Sequence, residues 1–243
     1  MPLKYNINNV ISLYEQDGGT TNFPDSLRQV LNYAQNDKNL TNIKELAYML
    51  ATAKGESDYL LTRWEADYLC GEKGVPYNKV PCERALNYYR SSNGKQNYYN
   101  KGVDKNGIPY FGRGLIQLTN KANYETYGKL AGLGTSLLEN GDLALIPKNS
   151  YNIASAFLNK NTFKHVNNGD FTRARKSVNG GTNGLAKINS EYDRWMDVLQ
   201  QPSANVKVVS STKKKRTLTL ILITSSIAFG IGAYLIYRIN KKG

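Results

Sequence analysis

The 243-residue chain has a net charge of +13, yet eight of its 32 basic residues and none of its 19 acidic ones lie from Lys207 onward, which leaves residues 1–206 at +5. Basicity gathered at one end points to anionic headgroups and argues against nucleic acid as a partner. His165 is the single histidine and Cys70 and Cys82 are the only cysteines, so a four-ligand zinc set of Cys and His is excluded, and no metal or cofactor is expected.

Met1 to Val10 holds one Lys and no apolar run, so no secretory signal is expected there. From Pro24 to Asn36, Leu27, Val30, Leu31 and Ala34 recur at helical spacing, with Pro in a tolerated first-turn position. Asn42 with Glu45 predicts a capping box. Ile43, Leu46, Ala47, Leu50 and Ala51 then form one apolar face of a helix that should end close to Glu56. Residues 69–108 are rich in Gly, Asn, Tyr and Lys and read as loop, apart from one short helix over Glu83 to Arg90. Within this stretch Cys70 and Cys82 read as two separate thiols of a reducing compartment, a single bridge being the alternative.

Further helices are predicted over Asn120–Leu133, over Ser150–Leu158, and from Asp170 to the Asn179-Gly180-Gly181 turn. The clearest is Gly184–Leu199, where Leu185, Ile188, Tyr192, Trp195, Met196 and Leu199 share a face and should close the core. Gln201 to Thr212 is polar and reads as a flexible connector. Thr217 to Tyr237 carries no charge, and its 21 positions at ~1.5 Å each span about 30 Å, the thickness of one hydrocarbon core. Lys213 to Arg216 precede this run and Arg238, Lys241 and Lys242 follow it, as expected of a transmembrane helix. The expected organisation is thus a domain over 1–200, a polar and basic linker over 201–216, a membrane span over 217–237 and a basic tail over 238–243.

The most chemical stretch is Phe111 to Tyr124, where two glycines, a guanidinium, two amides and a hydroxyl fall within one tight turn and helix start. Such a cluster suits sugar hydroxyl and acetamido groups, each of which needs a donor or acceptor at a fixed place. Cleaving a glycosidic bond usually takes two acids, one to protonate the leaving oxygen and one to activate water or attack carbon. Glu56, closing an apolar helix in Ala-Lys-Gly-Glu-Ser, is expected to be partly shielded, an environment that favours a proton-donating carboxyl. Glu65 follows in Arg63-Trp64-Glu65, with Asp58, Asp67 and Glu72 as rivals in the same stretch. The tyrosines around Tyr88-Tyr89, Tyr98-Tyr99 and Tyr110 read mostly as loop caps, with stacking on sugar rings as the alternative. Arg113 suits either a substrate carboxylate or, more readily, a pin on the turn's own carbonyls.

Gly112-Arg113-Gly114-Leu115-Ile116-Gln117-Leu118-Thr119 with Asn123-Tyr124 resembles the signature of family 19 glycoside hydrolases, which comprise chitinases and peptidoglycan-cleaving endolysins. Glu56, Glu65, this signature and Val178-Asn179-Gly180-Gly181 occur in the family's order, and the resemblance covers about Ile43 to Leu199. It implies a mainly α, lysozyme-like two-lobed helical domain with long loops. It also implies Glu56 as general acid, Glu65 as general base, Thr119 beside the attacking water, Gln117, Asn123 and Asn179 as sugar-binding amides, and inversion at the anomeric carbon. Gly55 stands where the family usually has His, and Asp58-Tyr59-Leu60 replaces its Gly-Gly-Phe.

The expected substrate is therefore the glycan of peptidoglycan, or chitin as runner-up, with the lipid bilayer as a second partner through the C-terminal helix. A lytic transglycosylase and a non-catalytic wall-binding virion protein are the rival functions. Lys207 and Lys213 to Arg216 outnumber the cations after the span, which predicts a cytoplasmic domain on a host inner membrane. A bacteriophage product carried in a virion membrane reconciles that side with a wall substrate.

Overall fold

In the computed structural model, residues 3–70, 82–90 and 97–208 are described, and they are mainly helical. Among them ten α-helices follow one another: α1 (Ile7–Gln16), α2 (Pro24–Ala34), α3 (Ile43–Ser57), α4 (Glu83–Arg90), α5 (Lys121–Leu130), α6 (Ser136–Glu139), α7 (Pro147–Asn161), α8 (Phe163–Asn167), α9 (Phe171–Asn179) and α10 (Leu185–Gln200). Strands β1 (Leu3–Lys4) and β2 (Lys207–Val208) pair antiparallel, Leu3 opposite Val208.

α3 is the central element. Every residue from Glu45 to Ala53 is buried, so the helix is packed around its circumference rather than along one face. Its start differs in detail from a capping box. Asn42 Oδ1 accepts from the Glu45 N–H at 3.0 Å, but the Glu45 carboxylate turns back to the N–H (2.6 Å) and hydroxyl (2.9 Å) of Thr41. α10 packs along α3 and buries Ile188, Tyr192 and Trp195, as its apolar stripe predicts. Gly55 faces α10, and a Cβ there would lie 2.6 Å from the tip of Ile188, its Cδ1.

Two apolar clusters form among the described residues. The larger gathers α1, α2, α3, α7 and α10 with parts of the turn before α5. The smaller consists of Trp64, Ala66, Ala85, Tyr89, Phe111 and Leu145, with Cys70 and Cys82 packed against it. This packing corrects the reading of two separate thiols. Cys70 closes a 3-10 turn (Asp67–Cys70), Cys82 precedes α4, and both elements lean on the same cluster, which brings the Cα atoms to 5.7 Å and the sulfurs into a disulfide.

Two further differences lie at the ends of the domain. α1 carries no sequence expectation, and the fold builds it on an Asn6 cap whose Oδ1 accepts from Asn9 N at 3.1 Å, burying Val10, Ile11 and Tyr14. The start of the expected connector is packed rather than free. Ala204 is buried, its carbonyl accepts from Asn6 N at 3.1 Å, and Lys207–Val208 forms β2. No helix among the described residues is long and apolar enough to cross a membrane, and the span expected over 217–237 lies outside the described residues.

Candidate active site

The Gly-Arg-Gly stretch folds as a tight turn that pairs on both sides. Arg113 and Leu118 exchange backbone hydrogen bonds at 3.1 and 2.8 Å, closing a loop in which Gly114 (φ 76°) and Gln117 (φ 53°) adopt left-handed backbone. On the other side Glu65 N donates to Gly112 O at 2.7 Å and Gly114 N to Arg63 O at 2.6 Å. The helix begins only at Lys121, so Gln117 and Thr119 belong to the turn and Asn123 to the first turn of α5.

At Gly114 a Cβ would meet Ser150 Oγ at 2.7 Å and the Ala144 carbonyl at 2.9 Å, on a backbone that L side chains rarely adopt. Left-handed strain of roughly 1–2 kcal/mol and overpacking of roughly 1–3 kcal/mol together predict that Gly114→Ala destabilises by about 3 kcal/mol. For a domain of this size the melting temperature should fall by about 6–12 °C. Thermal unfolding followed by circular dichroism checks this, and an unshifted melting point would show that the turn gives way freely.

Glu65 lies on the strip that pairs with this turn, and both its carboxylate oxygens are held. Gly112 N–H donates to Oε2 at 3.1 Å and the Tyr98 hydroxyl to Oε1 at 3.0 Å, while the Tyr89 hydroxyl bonds the Glu65 backbone carbonyl. Gly112 leaves room for this, since a Cβ would stand 3.3 Å from Glu65 Oε2 and 3.0 Å from Gln117 Oε1. Gln117 uses its amide N–H groups on the Arg63 and Gly114 carbonyls at 3.2 and 2.9 Å. The chain continues as Thr119 Oγ1 donates to Gln117 O (2.7 Å) and Asn123 Nδ2 to Thr119 O (2.8 Å). The structure thus gathers Glu65, Gln117, Thr119 and Asn123 around one turn.

The helix end that carries Glu56 docks on the same turn. Glu56 occupies the last turn of α3, and the next residue, Ser57, donates its hydroxyl to Leu115 O at 2.9 Å, docking the helix end on the signature. Its setting is an ion pair, not the plain apolar shielding that the sequence suggests. Arg175 Nη1 donates to Oε1 at 2.6 Å, with about 20% of the Glu56 side chain exposed. Oε2 has no hydrogen-bond partner among the described residues.

Arg175, the partner of Glu56, carries no sequence expectation. It is buried on α9, and its Nε donates to Asn183 O at 2.8 Å. The signal was present, because Phe171, Ala174, Arg175 and Val178 share the inward face of α9, and a guanidinium in an apolar stripe needs a buried partner. Asn179 stands beside it. Its Nδ2 also donates to Asn183 O (3.2 Å), and its Oδ1 accepts from Gly181 N (3.0 Å), so the Asn-Gly-Gly turn supports the arginine that holds Glu56.

The rival carboxylates are otherwise engaged. Asp58 caps α3 in left-handed backbone (φ 52°) and accepts from Lys54 Nζ at 2.6 Å and from Asn22 N and Nδ2 at 3.0 Å. Burial alone would raise the Asp58 carboxyl, but the hydrogen bonds from Lys54 and Asn22 outweigh it and hold it below the ordinary carboxylate value. Asp67 is fully buried and pairs with Arg63 at 3.3 Å, and Glu72 lies outside the described residues. Arg113 is sealed in the interior. Its Nε donates to Asp142 (2.7 Å), Nη1 donates to Pro109 O (3.1 Å) and the Tyr124 hydroxyl (2.9 Å), and its guanidinium lies over the Phe111 ring at 3.6 Å. In that place it pins the turn.

No protein-family model matches the chain, and no curated protein matches it.

Proposed function

We propose that the chain is a membrane-anchored peptidoglycan hydrolase that cleaves β-1,4 bonds between N-acetylated sugars with inversion. The observation that supports it most is that two glutamates from different parts of the chain are tied to one signature turn, Glu65 through Gly112 and the Glu56 helix end through Leu115. In this reading Glu56 gives its proton to the glycosidic oxygen as the C1–O bond breaks. Glu65 takes a proton from water, whose oxygen attacks C1 from the other face. The products are a sugar with a new reducing end and a free hydroxyl on the leaving strand. Arg175 keeps Glu56 aimed while the site is empty, and Oε2 is the oxygen left for the proton.

Membrane anchoring rests on the uncharged run 217–237 with its basic flanks. The placement that reconciles a wall substrate with a cytoplasmic domain is a bacteriophage product in a virion-associated membrane, acting on the wall at penetration or lysis.

One observation favours a second reading. The Glu56–Arg175 pair and the Gly55 that replaces a histidine also suit a groove that binds wall glycan without turning it over. Digesting peptidoglycan and chitin side by side with the full-length chain, followed by mass spectrometry, separates the possibilities. Saccharides with reducing ends, released from peptidoglycan in excess over chitin, are the expected result. Anhydro ends would mean a lytic transglycosylase, chitin cleaved in preference would mean a chitinase, and binding without products would mean the non-catalytic reading.

A further inference from the structure

Tyr98 is one of 18 tyrosines, and nothing in its sequence neighbourhood distinguishes it. In the fold its hydroxyl donates to Glu65 Oε1 at 3.0 Å while Gly112 N–H donates to Oε2 at 3.1 Å. These donors belong to separate elements. Gly112 lies in the signature turn, whereas Tyr98 starts a 3-10 turn (Tyr99–Lys101) packed on the smaller apolar cluster. The last torsion of a glutamate side chain is soft and broad, so a carboxylate held at one oxygen still swings. Held at both oxygens from two directions, its plane is set.

The ionised carboxylate has about four acceptor sites, two on each oxygen. Two are occupied by Gly112 and Tyr98, so the remaining pair points in directions that the protein has chosen. Tyr98 is itself well placed to do this. Its N–H donates to Tyr89 O at 3.1 Å, and its ring meets that of Tyr89 edge-on at 5.9 Å. Burial, and then the charge of Glu65, holds its phenol well above the ordinary tyrosine value, so it remains a donor throughout the working pH range. The other ionisable groups around Glu65 already have partners. Tyr89 bonds the Glu65 carbonyl, Tyr124 bonds Phe111 O and Arg113, Arg113 bonds Asp142, and Arg63 pairs with Asp67.

We infer that Tyr98 is a positioning residue for the reaction, fixing the plane of the Glu65 carboxylate so that a free lone pair meets the attacking water. This rests on the reading of Glu65 as the base. Tyr98→Phe keeps the ring contact with Tyr89 and removes only the hydroxyl. In the full-length chain it should lower kcat on peptidoglycan by about 10- to 100-fold with KM unchanged, the effect of losing a hydrogen bond to a charged group. A purely structural tyrosine would lower stability and leave kcat unchanged, so kcat is measured well below the melting temperature, which loss of the bond should lower by several degrees.

A double-mutant cycle completes the test. In a Glu65→Gln background, adding Tyr98→Phe should change the residual rate less than about 3-fold, because the group being positioned is gone. A loss that persists undiminished in that background overturns the proposal, as does a Tyr98→Phe enzyme with wild-type kcat beside an inactive Glu65→Gln enzyme. The latter result leaves Glu65 as the base. Wild-type turnover in Glu65→Gln alone would remove the base assignment and this proposal with it.

Discussion

Glu56→Gln is expected to slow the release of reducing ends from peptidoglycan by roughly a thousand-fold, within the range that a positioned general acid contributes, while binding of the wall persists. The amide keeps the shape of the side chain and its reach toward Arg175, but it has no proton acidic enough to pass to a leaving alkoxide. Stability should respond as well. The guanidinium of Arg175 is buried, and with Glu56 replaced by an amide it keeps an acceptor but loses its counter-charge. Losing a charge-assisted partner costs about 1.5–3 kcal/mol, so the melting temperature should drop by several degrees and rates must be compared well below it. Turnover at the wild-type level in a folded variant would show that Glu56 only anchors α9 to α3 and would leave the acid to another residue.

The split between what the sequence shows and what it hides follows the range of the interactions. Apolar spacing, caps and turn residues mark α2, α3, α4, α5, α7, α9 and α10, because these signals lie in neighbouring residues. α1 escapes the same reasoning. Its first turn follows Asn6 and includes Asn8 and Asn9, poor helix formers, and only three of its residues are buried. The site is harder to see for a different reason. The Arg175–Glu56 pair joins residues 119 apart, Gly112–Glu65 joins residues 47 apart, and Tyr98–Glu65 joins residues 33 apart. No local pattern encodes such distances.

The disulfide belongs to the same class. A reading from compartment favours separate thiols, whereas the pairing comes from two short elements sharing one apolar cluster. Asp58 and Glu56 make the complementary point. Both are acids at the end of α3, two residues apart, and the local sequence treats them alike. One is consumed by Lys54 and Asn22 as a helix cap, while the other meets a buried arginine from a distant helix.

Glu65→Ala is expected to lose about 10²- to 10⁴-fold in turnover and to regain part of it on addition of azide, more than Glu56→Ala regains under the same conditions. Removing the carboxylate deprives the water of its base, but it also strips the Gly112 N–H and the Tyr98 hydroxyl of their acceptor. Two donors left facing a vacated, partly shielded space favour a small anion. Azide needs no base to act as a nucleophile, so it attacks C1 in place of the activated water and leaves a glycosyl azide. For Glu56→Ala the missing step is protonation of the leaving oxygen, which azide does not supply. The stereochemistry follows from the same geometry. Attack by water from the face opposite the leaving group gives an inverted first product, read by proton NMR before mutarotation blurs it. A retained configuration would instead make Glu65 a nucleophile that forms a covalent intermediate, and equal azide rescue of both alanine variants would undo the division of roles between the two glutamates.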